Sequence, residues 1–393
     1  MNNVKKYKVE ELIVKQIKGL WGEELGDGET GIKVVKTNNM SYEGRIDFSD
    51  ICQRRIAFED ASNNFLQYGD LLIEKSGGTK THSVGYVNFF DGANNEFVCN
   101  NFILAIRPNQ KIVNPKYLFY YLKYLYESGS LDDCYNKTTG IQNLKTKTYL
   151  QKVLFIPSIG EQNEIVSILD FLTASATNLE KQIKLYSELI NSRFNEMFGD
   201  CKAKKPLDEL TTKITDGSHN PPKGVEKSEY IMLSSQNVHN ELDLTDVRYL
   251  TKEDFEIENK RTDIQKGDVL LTIVGTIGRT HVVKENEKFT FQRSVGVIKP
   301  ANHVLNGTFL SIYLHTEEAI DQLESGGHGS SQKGIYLKDI KKLLIPVVEI
   351  DKQLEFENFV NLIDKSKYNT QQHILALTEL VNKKAQEYFG GNE

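Results

Sequence analysis

Asp246, Glu258 and Lys260 are residue types that a metal-dependent nuclease uses, namely two carboxylates to hold a cation and a lysine beside them. Two of them lie in "TKEDFEIENK", where Thr251 and Asp254 form a capping-box pattern that predicts an exposed charged helix instead. The set has no supporting strand context, and such spacing alone is weak evidence for a metal site. No His and Cys set has zinc spacing, and no Ser-His-Asp arrangement stands out. The sequence therefore predicts no catalytic centre, metal or cofactor site in this chain.

The stretch "NPPK", ending at Lys223, is similar to the Asn-Pro-Pro-aromatic signature of adenine methyltransferases, whose aromatic ring stacks on a flipped base. Lys223 has no ring, and no glycine-rich segment follows a strand in a way that suits S-adenosylmethionine. We interpret the stretch as the end of a "DGSH" loop. A self-contained enzyme stays as an alternative hypothesis, which S-adenosylmethionine binding or magnesium-dependent DNA cleavage by the purified chain would support.

Side chains suited to DNA contact are concentrated in loops. Acidic residues are absent between Asp133 and Glu161 and again from Gly326 to Lys338. Glycine lets a backbone approach phosphates, lysine contacts phosphate, and Thr, Ser, Gln and Asn can bond base edges. A single loop of this kind is more simply a solvent-facing connection, but its recurrence favours DNA binding. The predicted DNA-binding residues are Lys36, Asn38, Asn39, Lys75, Lys80, Thr81, His82, Lys137, Thr139, Gln142, Asn143, Lys145, His219, Lys223, Ser235, Gln236, Asn237, Arg279, His281, Ser330, Ser331, Gln332 and Lys333.

Charge and composition limit these hypotheses. The net charge of −6 argues mildly against a protein that holds nucleic acid by bulk electrostatics, so local basic segments or a basic partner must supply the attraction. The four cysteines lie far apart and are most simply reduced thiols. No apolar run suits a signal peptide or a membrane span. We therefore expect a soluble, cytoplasmic protein.

The elements that must position these loops occur twice, because the sequence contains an internal repeat. "TNNM" matches "SQNV", "YGDLLIEKSG" matches "KGDVLLTIVG", "AIRP" matches "VIKP", "NPKYLFYYL" matches "NGTFLSIYL", "LFIP" matches "LLIP", and Gln162 matches Gln353. "SELINSRFNEMFG" and "TELVNKKAQEYFG" repeat the same helix ending, and Gly199 and Gly390 lie where a helix C-terminal glycine belongs. The order of the matches never changes, so the chain is a duplicated two-part unit.

The first part of each repeat carries short β-branched and aromatic runs with turn residues between them, which predict a mixed, β-rich domain. The second part follows an Ile-Pro dipeptide in both copies and has the heptad seam of a coiled coil. Lys367 and Thr370 interrupt the second seam. A solvated helix that covers its own domain is the simpler interpretation of one such element, but two copies favour pairing. The seam residues are Ile165, Leu169, Leu172, Leu179, Ile183, Tyr186, Ile190, Phe356, Val360, Ile363, Ile374, Leu377 and Val381.

This organisation resembles the specificity subunit of type I restriction–modification systems. The motifs that carry the resemblance are "LDELTTKITDGSHNPP", "KGDVLLTIVGTIG", "LLIP" and "IPSIGEQNEIVSILD". The first half departs from the pattern because it lacks the "DGSHNPP" loop, and "IPVVEIDKQLEF" lacks the Glu-Gln pair of the first copy. The resemblance implies an α+β fold with two β-rich target-recognition domains, 1–156 and 200–345, in pseudo-twofold repeat. They are separated by two long helices, 157–199 and 346–393, packed as an antiparallel coiled coil.

The resemblance also implies function and partners. Each recognition domain would read one half of a bipartite target in double-stranded DNA, and the helices would set the spacer and dock two modification (methyltransferase) subunits. Restriction (translocase and endonuclease) subunits would join the complex. S-adenosylmethionine would be bound by the methyltransferase, and ATP and magnesium by the restriction subunit. A specificity subunit of a different methyltransferase-linked defence assembly and a non-DNA protein scaffold remain alternatives.

Overall fold

The computed structural model describes residues 4–79, 82–136, 141–239, 241–285, 289–326 and 334–391. The chain divides into two compact units. Unit 1 comprises Met1–Glu180 and Gln372–Glu393, and unit 2 comprises Lys181–Gln371. Across the described ranges, no helix is both long and apolar enough to cross a membrane.

Unit 1 is built from short strands and a few helices. The strands are β1 (Lys5–Lys8), β2 (Ile13–Ile17), β3 (Ile32–Val35), β4 (Cys52–Arg54), β5 (Leu71–Glu74), β6 (Ser76–Gly77), β7 (Val87–Phe89), β8 (Phe97–Cys99), β9 (Ile103–Pro108), β10 (Gln142–Asn143) and β11 (Val153–Ile156). The helices are α1 (Phe58–Ser62), α2 (Pro115–Glu127), α3 (Thr146–Leu150) and the first part of α4 (Ile159–Phe198). Short 3-10 helices cover Val9–Leu12, Thr37–Asn39 and Asp132–Cys134.

Unit 2 contains a matching set. Its strands are β12 (Lys204–Pro206), β13 (Thr211–Asp216), β14 (Tyr230–Leu233), β15 (Arg248–Leu250), β16 (Val269–Thr272), β17 (Thr280–Val282), β18 (Phe289–Phe291), β19 (Val295–Pro300) and β20 (Leu344–Pro346). Its helices are α5 (Lys252–Thr262), α6 (Gly307–Tyr313), α7 (Glu317–Gly326), α8 (Leu337–Ile340) and the first part of α9 (Ile350–Phe389), with a 3-10 helix at Leu207–Leu210.

The sheets of the two units have the same topology, which confirms the internal repeat. Each unit has an antiparallel four-stranded sheet, in the order β2-β9-β5-β7 or β13-β19-β16-β17. Each also has a three-stranded sheet, β4-β3-β8 or β15-β14-β18, with one parallel pair. The first strand pairs with the last before the long helix, as β1-β11 and β12-β20. Each of the runs predicted as strands contains one, because β-branched and aromatic residues favour strands; the runs are "GIKVVKT", "DLLIEKS", "VGYVNFF", "FILAIRP", "VLLTIVG" and "SVGVIKP".

The long helices are divided between the two compact units, and the four-part division expected from the sequence stays a prediction. Unit 1 contains the first part of α4 and the last part of α9, whereas unit 2 contains the last part of α4 and the first part of α9. The helices therefore run antiparallel. A coiled-coil segment has no core of its own, so each half packs with the domain beside it.

The repeated helix endings are explained by this arrangement. Phe389 is buried in the core of unit 1, with its ring centroid 4.7 Å from that of Tyr121. Phe198 is buried in unit 2, 5.0 Å from the ring of Phe309. Gly199 and Gly390 follow the helices but do not adopt a left-handed conformation. A side chain at Gly199 would approach the carbonyl oxygen of Asn195 to 2.6 Å, so close packing explains this glycine.

The heptad seam predicted from the sequence is confirmed by burial, because its residues are buried or half-buried while the residues between them are mostly exposed. Thr370 is buried on this seam and Lys367 is half-buried. The buried or half-buried seam residues are Ile165, Leu169, Leu172, Leu179, Ile183, Tyr186 and Ile190 in α4, and Phe356, Val360, Ile363, Ile374, Leu377 and Val381 in α9.

Candidate nucleic-acid interface

In unit 1, two of the predicted DNA-binding loops are joined by the short strands β6 and β10. Gln142 pairs with Gly77 and Asn143 with Ser76. The Ser76 hydroxyl donates to Asn143 Oδ1 at 2.7 Å. Gln142 is half-buried and Asn143 exposed, so this pairing places two polar side chains of a glycine-rich loop at the surface.

An aromatic stack lies beside this pair. His82 is exposed, and its ring stacks on that of Tyr42 with centroids 3.9 Å apart. Tyr42 in turn contacts Tyr86 at 4.6 Å. Burial raises the pKa of the Tyr42 hydroxyl, which therefore stays protonated and able to donate at neutral pH. Sequence analysis missed Tyr42, and the only signal was an aromatic residue shortly after the "TNNM" phrase that recurs in both repeats.

A buried carboxylate lies under the same loop. Glu74 is 6% exposed, and burial raises its pKa. Glu74 Oε1 accepts a long hydrogen bond of 3.5 Å from the Gly78 N–H. Among the described residues, Oε2 has no hydrogen-bond partner. Gly77 has a φ of +140°, and a Cβ there would lie 2.5 Å from Glu74 Oε1, so only glycine fits above this carboxylate.

The remaining described predictions of unit 1 occupy varied positions. Asn38 and Lys145 are exposed, while Lys36 and Lys75 are half-buried. The Lys145 ammonium donates to the carbonyl oxygen of Asp133 at 3.3 Å. These side chains keep donors at the surface, which suits phosphate contact.

In unit 2, the buried side chain of Asp216 holds the "DGSH" loop in place. Asp216 is buried and accepts from His219 Nε2 at 2.8 Å, and it also pairs with Arg261. His219 itself is exposed. Arg248 donates to the carbonyl oxygen of Pro222 at 2.9 Å, so the Pro-Pro turn is fixed while the following Lys223 is exposed.

A second cluster in unit 2 surrounds an open cavity of about 420 Å³, lined by His239, Glu241, Arg279, Thr280 and His315. Arg279 Nη1 lies 3.3 Å from His239 Nε2. Burial lowers the pKa of His315, which favours its neutral form. The cluster therefore presents one guanidinium held beside an imidazole. Sequence analysis predicted Arg279 and missed His239, whose only signal is its position after Ser235 and Gln236.

Ser235 and Gln236 lie in the loop that contacts this cluster. The Ser235 N–H donates to the hydroxyl of Ser294 at 3.0 Å, and the carbonyl oxygen of Gln236 lies 3.1 Å from His239 Nε2. Gln236 is exposed and Ser235 half-buried. The main chain of Gln236 thus contacts His239, which lies beside Arg279.

Three predicted residues require correction because the structure buries them. Asn39 and Asn237 are each 4% exposed and His281, in β17, is 3% exposed. Asn39 Nδ2 donates to the carbonyl oxygens of Asp47 and Asp50. These three side chains therefore lie in the interior and not at the surface, where the sequence analysis expected them.

Asn237 makes the matching bonds in unit 2. Its Nδ2 donates to the carbonyl oxygens of Asp243 and Asp246, and its Oδ1 accepts from the Ser234 N–H at 2.8 Å. The repeated "TNNM" and "SQNV" phrases thus carry a structural asparagine in both repeats. Eight further predicted residues lie outside the described residues, namely Lys80, Thr81, Lys137, Thr139, Ser330, Ser331, Gln332 and Lys333.

Two residues of the alternative nuclease site, Glu258 and Lys260, lie on the capped helix α5. Thr251 caps α5, and its side chain accepts from the Asp254 N–H at 3.1 Å, which confirms the predicted capped helix that carries Glu258 and Lys260. Within the described residues, no group of three or more His, Cys, Asp and Glu side chains could hold a metal ion.

Comparisons with known proteins agree with the repeat. A family model for the type I restriction modification DNA specificity domain matches residues 4–186 and 223–378. The chain is 23% identical over 285 residues to the specificity subunit of the Escherichia coli type I restriction enzyme EcoBI. That match covers 62% of this chain but only 60% of the relative's length.

Two solved structures share the fold over almost the whole chain. One is from a structural study of complex assembly and conformational transition of the type I R-M system, with a TM-score of 0.57 and 16% identity over 98% of this chain and 97% of that one. The other is the type I restriction-modification S subunit from M. genitalium, with a TM-score of 0.54 and 15% identity over 98% and 96%. At these identities the likeness extends to the fold alone.

Proposed function

Because this chain belongs to the family of type I restriction modification DNA specificity domains, we propose that it selects the DNA sequence on which a type I restriction–modification complex acts. Each unit reads one half of a bipartite target in double-stranded DNA, and α4 and α9 set the gap between the halves. The chain performs no chemistry itself. A modification subunit binds S-adenosylmethionine, a restriction subunit binds ATP and magnesium, and the assembly works in the cytoplasm.

The observation that carries this proposal is the contrast between a repeated scaffold and unrepeated loops. The sheets and the structural asparagines Asn39 and Asn237 recur in both units. Among the described loop residues the contacts differ: unit 1 has the stack of His82 on Tyr42, whereas unit 2 has Arg279 beside His239. Loops that bound one common ligand would keep common contacts. Loops that read different half-sites on a shared scaffold differ in this way.

The outer faces of the long helices support docking of two modification subunits. Phe171 on α4 is 71% exposed, and Leu362 on α9 is 68% exposed. These two residues are equivalent in the repeat, because their separation in the sequence equals that of Gln162 and Gln353. Leu189 and Leu380, again at that separation, are also exposed. Large apolar side chains at equivalent exposed positions suit two copies of one apolar partner surface.

The main experiment is co-expression with the partner methyltransferase in a methylation-free host, followed by mapping of modified adenines. We expect a two-part motif with a fixed gap that disappears when this chain is omitted. Replacing residues 200–345 with those of a relative should change only one half of the motif. A change in both halves of the motif would contradict independent reading. Methylation that persists when this chain is omitted would contradict the specificity role.

Docking is tested by Phe171→Asp and Leu362→Asp, each expected to reduce the bound modification subunits from two to one in native mass spectrometry. A carboxylate in an apolar interface carries a desolvation cost that a free surface does not. Ile257→Asp is the matched control, because Ile257 is a similarly exposed residue on α5. Two bound copies in both helix variants would contradict these docking positions.

A further inference from the structure

Gln162 lies in the first turn of α4 and is fully buried, with 0% exposure. Its Oε1 accepts from the Asn114 N–H at 2.8 Å. Its Nε2 donates to the carbonyl oxygens of Ile112 at 3.1 Å and Pro157 at 2.9 Å. The side chain thus ties three segments together: the linker after β11, the loop before α2, and α4 itself.

Gln353 repeats this arrangement in the first turn of α9. It is also 0% exposed, and its Oε1 accepts from the Asn306 N–H at 2.9 Å. Its Nε2 donates to the carbonyl oxygens of Val304 at 3.0 Å and Val348 at 2.8 Å. The side-chain amides of Gln162 and Gln353 therefore make equivalent hydrogen bonds in the two repeats.

These bonds hold the direction of the long helix relative to its own domain. Asn114 is also the N-cap of α2, where its Oδ1 accepts from the Lys116 N–H at 2.8 Å, so the amide of Gln162 connects the start of α4 to the start of α2. An apolar side chain would fill the same volume without the polar cost of burial. The amide adds three directional bonds to main-chain atoms, which fix orientation as apolar packing does not.

We propose that Gln162 and Gln353 are positioning residues that determine which gap between half-sites is accepted. The inference rests on the proposed function. Each long helix has 40 residues. At about 1.5 Å per residue it is about 60 Å long, so a tilt of about 3° at its first turn moves its last turn by about 3 Å, nearly one base-pair step of about 3.4 Å. A small loss of orientation at the glutamine therefore becomes an error of one base pair in the gap.

The test uses Gln162→Met in the assembled modification complex. Methionine has nearly the same length and volume but makes none of the three bonds. Methylation rates are measured on duplexes that carry both half-sites at the native gap and at gaps one base pair shorter and longer. We expect the preference for the native gap to fall about fivefold to tenfold, while both half-site sequences stay unchanged.

The control is Leu118→Ala, because the apolar side chain of this fully buried α2 residue forms none of the glutamine hydrogen bonds and its removal lowers stability by creating a cavity. An unchanged gap preference in Gln162→Met, with activity lost only in proportion to stability as in the control, would overturn the inference. If Gln162→Met does not unfold cooperatively, Gln353→Met with Leu310→Ala as its control makes the same test in unit 2. If no methylation depends on the unmutated chain, the proposed function itself is refuted.

Discussion

The two units support the same four-stranded sheet with different ion pairs. In unit 1, Arg107 binds both oxygens of the buried Asp70, each at 2.8 Å, and also donates to the carbonyl oxygen of Phe65. In unit 2, Lys299 contacts Asp268 through one nitrogen at 2.5 Å. The matched phrases "YGDLL" with "AIRP" and "KGDVL" with "VIKP" therefore encode one structural pair. The position requires a carboxylate and a cation, and the planar fork of arginine is an addition peculiar to unit 1.

A second difference lies under the candidate DNA-binding loops. Thr272 in unit 2 is fully buried, and its hydroxyl accepts from the Arg279 N–H at 2.9 Å. Glu74 takes this place in unit 1, with a raised pKa and an oxygen that lacks a partner among the described residues. The side chain below the loops thus differs between the units, because the Thr272 hydroxyl accepts a hydrogen bond whereas one Glu74 oxygen has none among the described residues.

The largest expected effect is the loss of stability on removing the aromatic residue at the end of each long helix, which should affect one unit in each case. Phe389→Ala removes a buried ring that contacts Tyr117 and Tyr121, so we expect unit 1 to lose about 3–5 kcal/mol. Phe198→Ala should cost unit 2 a similar amount. Amide hydrogen exchange, measured for each unit, checks both. Leu380→Ala is the control, because this exposed residue on the same helix should change stability by less than about 0.5 kcal/mol. A greater loss in unit 2 than in unit 1 from Phe389→Ala would contradict the division of the helices.

A smaller effect distinguishes the ion pairs. Arg107→Lys removes the second bond to Asp70 and the bond to Phe65, and we expect unit 1 to lose about 2 kcal/mol of unfolding free energy. The reciprocal Lys299→Arg should change unit 2 by less than about 1 kcal/mol, because the existing contact to Asp268 is kept. Equal effects of the two exchanges in chemical denaturation would show that the second bond contributes nothing.

The smallest effect concerns Glu74→Gln, which should stabilise unit 1 by about 1 kcal/mol at neutral pH. Burial raises the pKa of Glu74 above its value in the unfolded chain. The contribution of Glu74 to folding stability is therefore fully present below the unfolded pKa, where the side chain is protonated, and it is lost as pH rises through the folded pKa. The stability difference between variant and parent should therefore grow from mildly acidic to neutral pH. Thr272→Val in unit 2 is the control and should give a pH-independent difference. A pH-independent difference for Glu74→Gln would contradict the assignment.

Much of the scaffold follows from sequence alone, because its signals are local or repeated. The strand runs, the heptad seam from Ile165 to Ile190, and the cap at Thr251 are confirmed in the described residues. Duplication made even weak phrases informative, since each could be compared with its copy. The matched glutamines Gln162 and Gln353 were visible as a repeat, although their bonds were not.

Only the tertiary structure decided which of the predicted side chains are exposed and against which core each helix ending packs. Sequence analysis selected Asn39, Asn237 and His281 because of their residue types, but the fold buries them. Conversely, His82 meets Tyr42 only because the chain folds their two loops together. The sequence by itself determined that the chain is a duplicated α+β protein with paired helices. That Phe389, at the end of the second repeat, completes the core of unit 1 depends on packing between residues far apart in the chain, which local periodicity does not encode.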